Sequence, residues 1–349
     1  MTRPPPAGAA IVGLAQYSPG PRVDNPTLAM SLQAEVQSLM GYFGITGRHY
    51  VIDPATGALR EPGLGTAEMC ARACIAALRD AQVEASQVDT LICGTSTPDE
   101  RLPPLTHRVQ RRLGLQEVSP YESHGGCAAS LQCLSLAAAL VEAGRARCVL
   151  VALADTLSPH YLRPLLSQDP ARIRTADLIN ACVFADGAAA VVVQAASPKR
   201  PGMALQGLRV RSRFCDRPSG FDVTAAGVTE HDHRAIREVL PEVMRAAADD
   251  LSCLGTQGVD HLIVPQVNRS MVDLVHTALH DKVYYVGDCI GNCPAPAVLR
   301  ALSIGVERGD IDRMVARIGV IALETTSWTY GTALLAGQGP TTASHACTA

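Results

Sequence analysis

A short repeat constrains the fold of this chain more than any other feature. Val88-Asp-Thr-Leu-Ile92 recurs as Val259-Asp-His-Leu-Ile263, and an alanine-rich helical pattern precedes each copy, at 66–81 and 236–251. Repeated helix and strand patterns at matching offsets are typical of a duplicated fold. The repeat therefore predicts two similar α/β halves; the alternative is two unrelated βα units.

A second echo lies farther along the chain. Val141-Glu-Ala-Gly144 recurs as Val306-Glu-Arg-Gly309, at almost the same offset from the first repeat. The 349 residues also exceed the size at which one hydrophobic core stops growing. We therefore predict an N-terminal half at 1–197 and a C-terminal half at 198–349.

Strand and helix patterns alternate through the first half. Apolar runs predict strands and amphipathic spacing predicts helices, with Thr66 as a possible helix cap. The predicted strands are 9–15, 88–94, 148–154 and 188–193, and the predicted helices are 66–81, 104–113 and the segment after Cys127. This alternation indicates an α/β fold.

Composition and charge exclude several classes of function. Apolar residues make up 47% of the chain, and the formal net charge of -3 leaves no basic stripe for nucleic acid. No apolar run is long enough to span a membrane, and the proline-rich start at 1–6 lacks a signal-peptide core. We expect a soluble, cytoplasmic protein. The twelve cysteines, Cys347 among them, contain no Cys-x-x-Cys pair and are expected to be free thiols.

Cys127 is the main candidate nucleophile. Gly125 and Gly126 precede it, and an apolar pattern of helical spacing follows, so the cysteine lies where a tight turn enters a buried helix. Backbone N–H groups and the helix dipole at such a position stabilise a thiolate and lower its pKa. The alternative is one more small apolar residue in the core.

The repeat gives this turn a counterpart in the second half. Gly291-Asn292-Cys293 also opens an apolar helix after a strand. Duplicated halves would bring the two helix N-termini toward one dyad. We therefore predict that Cys127 and Asn292 lie together.

Five motifs in order resemble a known family. They are Gly44-Ile-Thr-Gly-Arg-His49, Gly-Gly-Cys127-Ala-Ala-Ser, Phe184-Ala-Asp-Gly-Ala-Ala-Ala190, Gly291-Asn-Cys-Pro-Ala-Pro-Ala297 and Trp328-Thr-Tyr-Gly-Thr-Ala-Leu334. Over nearly its whole length the chain resembles the condensing enzymes of the ketoacyl-ACP synthase III type. The resemblance implies a thiolase fold with duplicated halves in five αβαβα layers, and a homodimer or a heterodimer with a related ketosynthase. It also implies a cysteine acylated by a CoA or acyl-carrier-protein thioester, with no metal or other cofactor.

The resemblance assigns roles to matching positions. Cys127 would carry the acyl group, and the backbone N–H groups of Cys127 and Thr326 would hold the acyl oxyanion. In the family a malonyl thioester then loses carbon dioxide, and the enolate oxygen is held by a His and an Asn. Asn292 matches that Asn; its alternative is a helix cap.

The family histidine is missing. Pro265 stands in its place, and proline has neither a side-chain donor nor a backbone N–H. Gln266 is a candidate donor to an oxyanion, and His124, three residues before Cys127, is a candidate partner of the thiol. His261 is expected in the core or on the surface.

Other positions also depart from the family pattern. Glu324-Thr325-Thr326-Ser327 replaces a glycine-rich loop, and Glu324 is either a base beside the thioester site or a solvated or salt-bridged residue. Ser38 and Tyr42 replace the Trp and Arg that hold the adenine end of CoA, which favours a carrier protein or a differently held CoA. His231 and His233 have metal-like spacing without a third ligand, and are expected to flank a helix that starts at 234.

These residues predict an enzyme that moves an acyl group through Cys127 in fatty-acid, polyketide or other secondary-metabolite biosynthesis. One alternative is an acyltransferase to an alcohol, amine or thiol without decarboxylation. Another is an assisting subunit of a heterodimeric ketosynthase.

Overall fold

A computed structural model describes residues 8–213, 215–223, 229–255 and 258–339. The prolines at 4–6 and Cys347 lie outside these ranges. The strands are β1 Ala9–Tyr17, β2 Val23–Asp24, β3 Gly47–Arg48, β4 Thr90–Gly94, β5 Ser119–Ser123, β6 Cys148–Asp155, β7 Gly187–Ala195, β8 Met203–Ser212, β9 Phe221–Val223, β10 Thr229–His231, β11 His261–Ile263, β12 Val283–Tyr284, β13 Arg317–Glu324 and β14 Thr329–Gly337. The α-helices are α1 Asn25–Leu32, α2 Gln37–Phe43, α3 Thr66–Ala81, α4 Leu105–Leu113, α5 Ala129–Glu142, α6 Ser158–Tyr161, α7 Thr175–Val183, α8 His233–Gly255, α9 Ser270–Asp273, α10 Gly287–Ile290 and α11 Ala297–Arg308.

The central sheet contains the same strand pattern twice. Its order is β12-β11-β13-β14-β8-β1-β7-β6-β4-β5. Each half contributes five strands to this sheet, which can be numbered 1 to 5 along the chain within that half. Counted outward from the middle of the sheet, both halves then have the order 1-5-4-2-3, and equivalent strand pairs have the same parallel or antiparallel direction. The two sets join where β1 pairs antiparallel with β8, Ala10 opposite Ala204 and Ile11 opposite Met203. The duplication that the repeat predicts is therefore present in the topology; the boundary at 197/198 stays a prediction.

Helices cover the sheet in three layers. α3 packs on β1, β6 and β7, and α8 packs on β13 and β14. α5 and α11 lie between the two halves, because each contacts strands of both sets. Three apolar clusters fill the spaces between these layers. This is the expected α/β thiolase fold with duplicated halves in a five-layered αβαβα arrangement.

Most predicted elements form with small shifts at their ends. α3 has the predicted bounds, but Gly65 and not Thr66 is its N-cap residue. The Asp99 carboxylate serves the helix start instead, because it accepts the N–H groups of Thr66 at 2.7 Å and Ala67 at 2.8 Å. The polar region from 16 to 65, for which the sequence predicted no elements, contains α1, α2 and the β2–β3 pair.

No described helix combines the length and the apolar character that a membrane span requires.

Asp155, the last residue of β6, links the two halves. Its side chain is fully buried, and Oδ1 accepts the Ser96 N–H at 2.5 Å and the Thr95 hydroxyl at 3.1 Å. Oδ2 accepts the N–H of Ala295, in the turn before α11, at 2.7 Å. Burial raises the pKa of this carboxyl to about 6, although the hydrogen bonds oppose the increase. One buried carboxyl thus fixes a second-half turn to first-half strands.

This raised pKa predicts a pH dependence of stability. The folded protein binds the Asp155 proton more tightly than the unfolded chain, whose carboxyl has an ordinary pKa of 3.8. The resulting stabilisation is complete below about pH 3.8 and is lost as the pH rises through about 6. The free energy of unfolding changes by about 3 kcal/mol over this range. The unfolding free energy of wild type relative to Asp155→Asn should therefore fall between pH 4 and pH 6. Urea titrations at four pH values test this, and identical pH profiles for the two proteins would contradict it.

Candidate active site

Cys127 lies in a tight turn at the entrance to α5. Residues 126–128 form one 3₁₀ turn, and Gly126 has a φ of +53°, in the left-handed region that favours glycine. Cys127 itself is half-buried. The helix that follows is anchored by the fully buried Leu131 and Leu134. The turn therefore has the form that the sequence predicts, with the cysteine at the helix N-terminus.

The Glu324 carboxylate lies directly against this turn. Glu324 ends β13, and its Oε2 accepts the Cys127 N–H at 2.5 Å. Its Oε1 accepts the Thr326 N–H at 2.8 Å. A Cβ added at Gly126 would lie 1.8 Å from Oε2, so the carboxylate approaches this closely only because residue 126 is glycine. Both backbone donors that the resemblance assigns to the acyl oxyanion bind this one side chain.

The surroundings of Cys127 disfavour a thiolate. Burial raises the pKa of the thiol well above its usual range, and the negative charge of Glu324 raises it further. Asp155 and Cys293 act in the same direction. The prediction of a lowered pKa is therefore wrong for this arrangement, because a carboxylate binds the N–H that the turn presents. Glu324 is also 6% exposed and bonded to backbone, so it is not the solvated or salt-bridged residue of the alternative interpretation.

The loop that carries Thr326 is held by neighbouring residues. It joins β13 to β14 without a glycine, and Trp328 adopts a φ of +48°. The Trp328 indole N–H donates to the Pro218 carbonyl at 2.8 Å, and the Ser219 hydroxyl donates to the Thr326 carbonyl at 2.9 Å. A bulky residue in the left-handed region is strained and needs such anchors. This role of Trp328 was not predicted from the sequence, although a tryptophan beside a loop that lacks the family glycines was a signal for it.

Asn292 lies at the corresponding turn of the second half. Its N–H donates to the Val183 carbonyl at 2.9 Å, and its carbonyl accepts the Ala185 N–H at 2.8 Å. The N-cap residue of α11 is Pro296, so the helix-cap alternative for Asn292 is wrong. The Asn292 side chain is buried, and its Oδ1 has no hydrogen-bond partner among the described residues. The acceptor oxygen of this amide is thus buried without a donor from the described part of the chain.

The turn after Asn292 approaches the first half closely. The Cys293 thiol donates to the Gly187 carbonyl, with 3.3 Å between sulfur and oxygen, and burial raises its pKa well above the usual range. Cys293 also contributes to the raised pKa of Cys127. The turn that bears Asn292 is therefore fixed to the first half through Asp155 and Gly187, and the placement of Cys127 and Asn292 together stays a prediction.

Gln266 has a structural role. Its Nε2 donates to the Val264 carbonyl at 2.7 Å, and its Oε1 accepts the N–H groups of Val286 at 2.9 Å and Gly287 at 3.0 Å. The side chain is 1% exposed. These bonds fasten the end of β11 to the start of α10, and they use the amide that was predicted to donate to an oxyanion.

The His124 side chain lies at the protein surface. The ring is largely exposed, and its Nε2 lies 3.1 Å from a Glu122 carboxylate oxygen on β5. This contact with Glu122 occupies the side chain that was predicted to meet the thiol. Pro265 is buried just after β11, and His261 is half-buried on that strand. The contacts of these residues supply no replacement for the family histidine.

The remaining candidates lie on the surface or away from Cys127. Ser38 and Tyr42 are both exposed on α2, Tyr42 to 87%. His231, on β10, and His233, the first residue of α8, stack with 5.6 Å between ring centroids. No group of three residues suited to a metal ion occurs in the described ranges.

Known proteins share this fold and about a quarter of their aligned residues with this chain. The family model of 3-oxoacyl-[acyl-carrier-protein (ACP)] synthase III matches residues 121–212, which include the Cys127 turn. The beta-ketoacyl-[acyl-carrier-protein] synthase III of Cereibacter sphaeroides is 28% identical over 316 residues, covering 87% of this chain and 91% of the relative.

Solved structures give the same result. AbyA1, a tetronic acid condensing enzyme, has a TM-score of 0.83 at 25% identity, covering 94% of this chain and 100% of its own. FabH, the 3-oxoacyl-(acyl carrier protein) synthase III of Pseudomonas aeruginosa PAO1, has a TM-score of 0.77 at 25% identity, with 95% and 98% covered. The fold, the Cys127 turn and these similarities lead to one conclusion: the chain has the thiolase fold and is similar to the condensing enzymes of the FabH-like, ketoacyl-ACP synthase III type.

Proposed function

We propose that Cys127 takes an acyl group from a CoA or acyl-carrier-protein thioester and passes it to a second substrate. One observation carries the proposal: the N–H groups of Cys127 and Thr326 point to one small volume beside the thiol, where both bind a carboxylate. Two backbone donors so placed are what an acyl oxyanion requires.

The first half-reaction is a thioester exchange. The Cys127 sulfur attacks the thioester carbonyl carbon, and the carbonyl oxygen gains negative charge that the two N–H groups can hold. The bond to the donor sulfur then breaks, and the donor thiol leaves with the proton that Cys127 gives up. No metal or organic cofactor enters this sequence.

The second half-reaction depends on Asn292. Its amide is the remaining match to the donor pair that stabilises a malonyl enolate, because Pro265 supplies none. Losing one oxyanion donor typically costs about 10²–10³ in rate. We therefore propose that acyl transfer to an acceptor that needs no decarboxylation, such as an alcohol, amine or thiol, exceeds malonyl condensation.

The name of AbyA1 supports this broader choice of acceptor. A tetronic acid contains a ring ester in addition to its dicarbonyl carbon, and AbyA1 is a tetronic acid condensing enzyme. The proposed context of this chain is accordingly fatty-acid, polyketide or other secondary-metabolite biosynthesis, with a homodimer or a heterodimer of related subunits as the working assembly.

One observation favours the second candidate, an assisting subunit of a heterodimer. The carboxylate of Glu324 occupies the donors beside Cys127, and the thiol has a raised pKa. A subunit held in this form without its partner would load acyl groups slowly. Loading that appears only when a related ketosynthase is co-expressed would support this candidate.

Intact-mass spectrometry tests the acyl-enzyme. After incubation with a panel of acyl-CoA and acyl-carrier thioesters, wild type should gain one acyl mass and Cys127→Ala should gain none. Cys289→Ala is the matched control, because Cys289 is also half-buried and should leave loading unchanged. An acyl mass on Cys127→Ala, or its loss in Cys289→Ala, would overturn the assignment.

Release of carbon dioxide tests the second step. After Cys127 is loaded, wild type should decarboxylate a malonyl thioester slowly, and Asn292→Ala should lower that rate by about 10²–10³. Pro265→His should raise it, because it adds a donor at the family position. Rapid release by wild type that Asn292→Ala leaves unchanged would show that other residues hold the enolate.

A further inference from the structure

The donors beside Cys127 are already occupied in this structure. The two oxygens of Glu324 accept the N–H groups of Cys127 and Thr326, at 2.5 Å and 2.8 Å. An acyl oxygen bound by these two donors would take the position of the carboxylate. The two groups exclude each other by volume, and the negative carboxylate would also repel a developing oxyanion.

The carboxylate is held there by the fold. Glu324 ends β13 and pairs with Thr329 of β14, so its backbone is fixed by the sheet. Its side chain is buried and touches the turn only because Gly126 has no Cβ. Within the described residues it makes no ion pair that would draw it elsewhere. Rotation of the Glu324 side chain is therefore the motion that frees the donors.

The other half has a carboxylate at the equivalent place. Asp155 ends β6 as Glu324 ends β13, and each accepts the N–H of a turn from the opposite half. Asp155 is fixed by further donors from Thr95 and Ser96. The second-half turn offers Ala295 where the first-half turn offers Cys127, so only Glu324 binds the main chain of the nucleophile.

From this arrangement we propose that Glu324 closes the acyl-oxyanion site of the resting enzyme and that an acyl thioester must displace its carboxylate before Cys127 reacts. The inference rests on the proposed function, because it assigns a regulating residue to the same site. Glu324 is neither acylated nor consumed. It holds the thiol protonated and the donors covered until the thioester carbonyl competes for them, which limits reaction with other electrophiles.

Three titratable groups near Cys127 all raise the pKa of its thiol. Glu324 reaches it from β13, Asp155 from β6 and Cys293 from the turn before α11, and each raises the pKa of the thiol. Of these, only Glu324 binds the turn itself. Removing its charge should therefore lower the pKa of Cys127, whereas Asp155 and Cys293 are present in wild type and variant alike at each pH.

Alkylation by iodoacetamide tests the proposal without any acyl substrate. The rate at Cys127 is measured from pH 6 to pH 10 on the full chain, by intact mass and peptide mapping. Glu324→Gln and Glu324→Ala should react about tenfold faster or more near neutral pH, because each unit of pKa lowering raises the thiolate fraction about tenfold. Glu142→Gln is the matched control: Glu142 also accepts a backbone N–H, that of Ala9, but at the far end of α5.

The outcomes separate this inference from the proposed function. Faster alkylation of both Glu324 variants supports the closed site, even if no acyl thioester loads and the proposed function fails. Unchanged or slower alkylation overturns it, and a slower Glu324→Gln would assign the carboxylate as a base instead. Because Glu324→Gln keeps the size and one acceptor oxygen of the side chain, it preserves the test if Glu324→Ala does not fold.

Discussion

A carboxylate at the end of a central strand binds the backbone of a turn from the other half, and this interaction occurs twice. Asp155 holds the turn before α11, and Glu324 holds the turn before α5. Hydrogen bonds to an ionised acceptor are about twice as strong as neutral ones. Each turn is consequently positioned by a carboxylate of the opposite half.

The contact between Glu324 and the Cys127 turn also controls the chemistry of Cys127. The N-terminus of α5 acts as about +0.5 of an elementary charge, whereas the Glu324 carboxylate supplies a full negative charge at hydrogen-bond distance from the turn. The carboxylate outweighs the helix, and burial adds to its effect, so the thiol is protonated near neutral pH. The contact by which Glu324 positions the turn therefore also makes the Cys127 thiol less reactive.

The sequence predicts the fold well and the electrostatics of the site poorly. Local patterns place α3 at its observed bounds and the Cys127 turn at the start of α5, because periodicity and glycine conformation are local properties. The role of Glu324 depends on a partner 197 positions away in the sequence, and that of Gln266 on backbone groups 20 and 21 positions away. Tertiary contacts of this kind leave no periodic signal, and a repeat identifies equivalent positions without showing which side chains fill the space between them.

Two departures from the family pattern act together on the proposed second step. Pro265 stands where the family has an enolate donor, and Glu324 places negative charge beside the Cys127 turn. A malonyl thioester is itself an anion until it loses carbon dioxide, so its approach meets repulsion before any enolate forms. A neutral acceptor meets neither difficulty. The residues that we propose to weaken malonyl condensation are therefore compatible with acyl transfer to a neutral nucleophile.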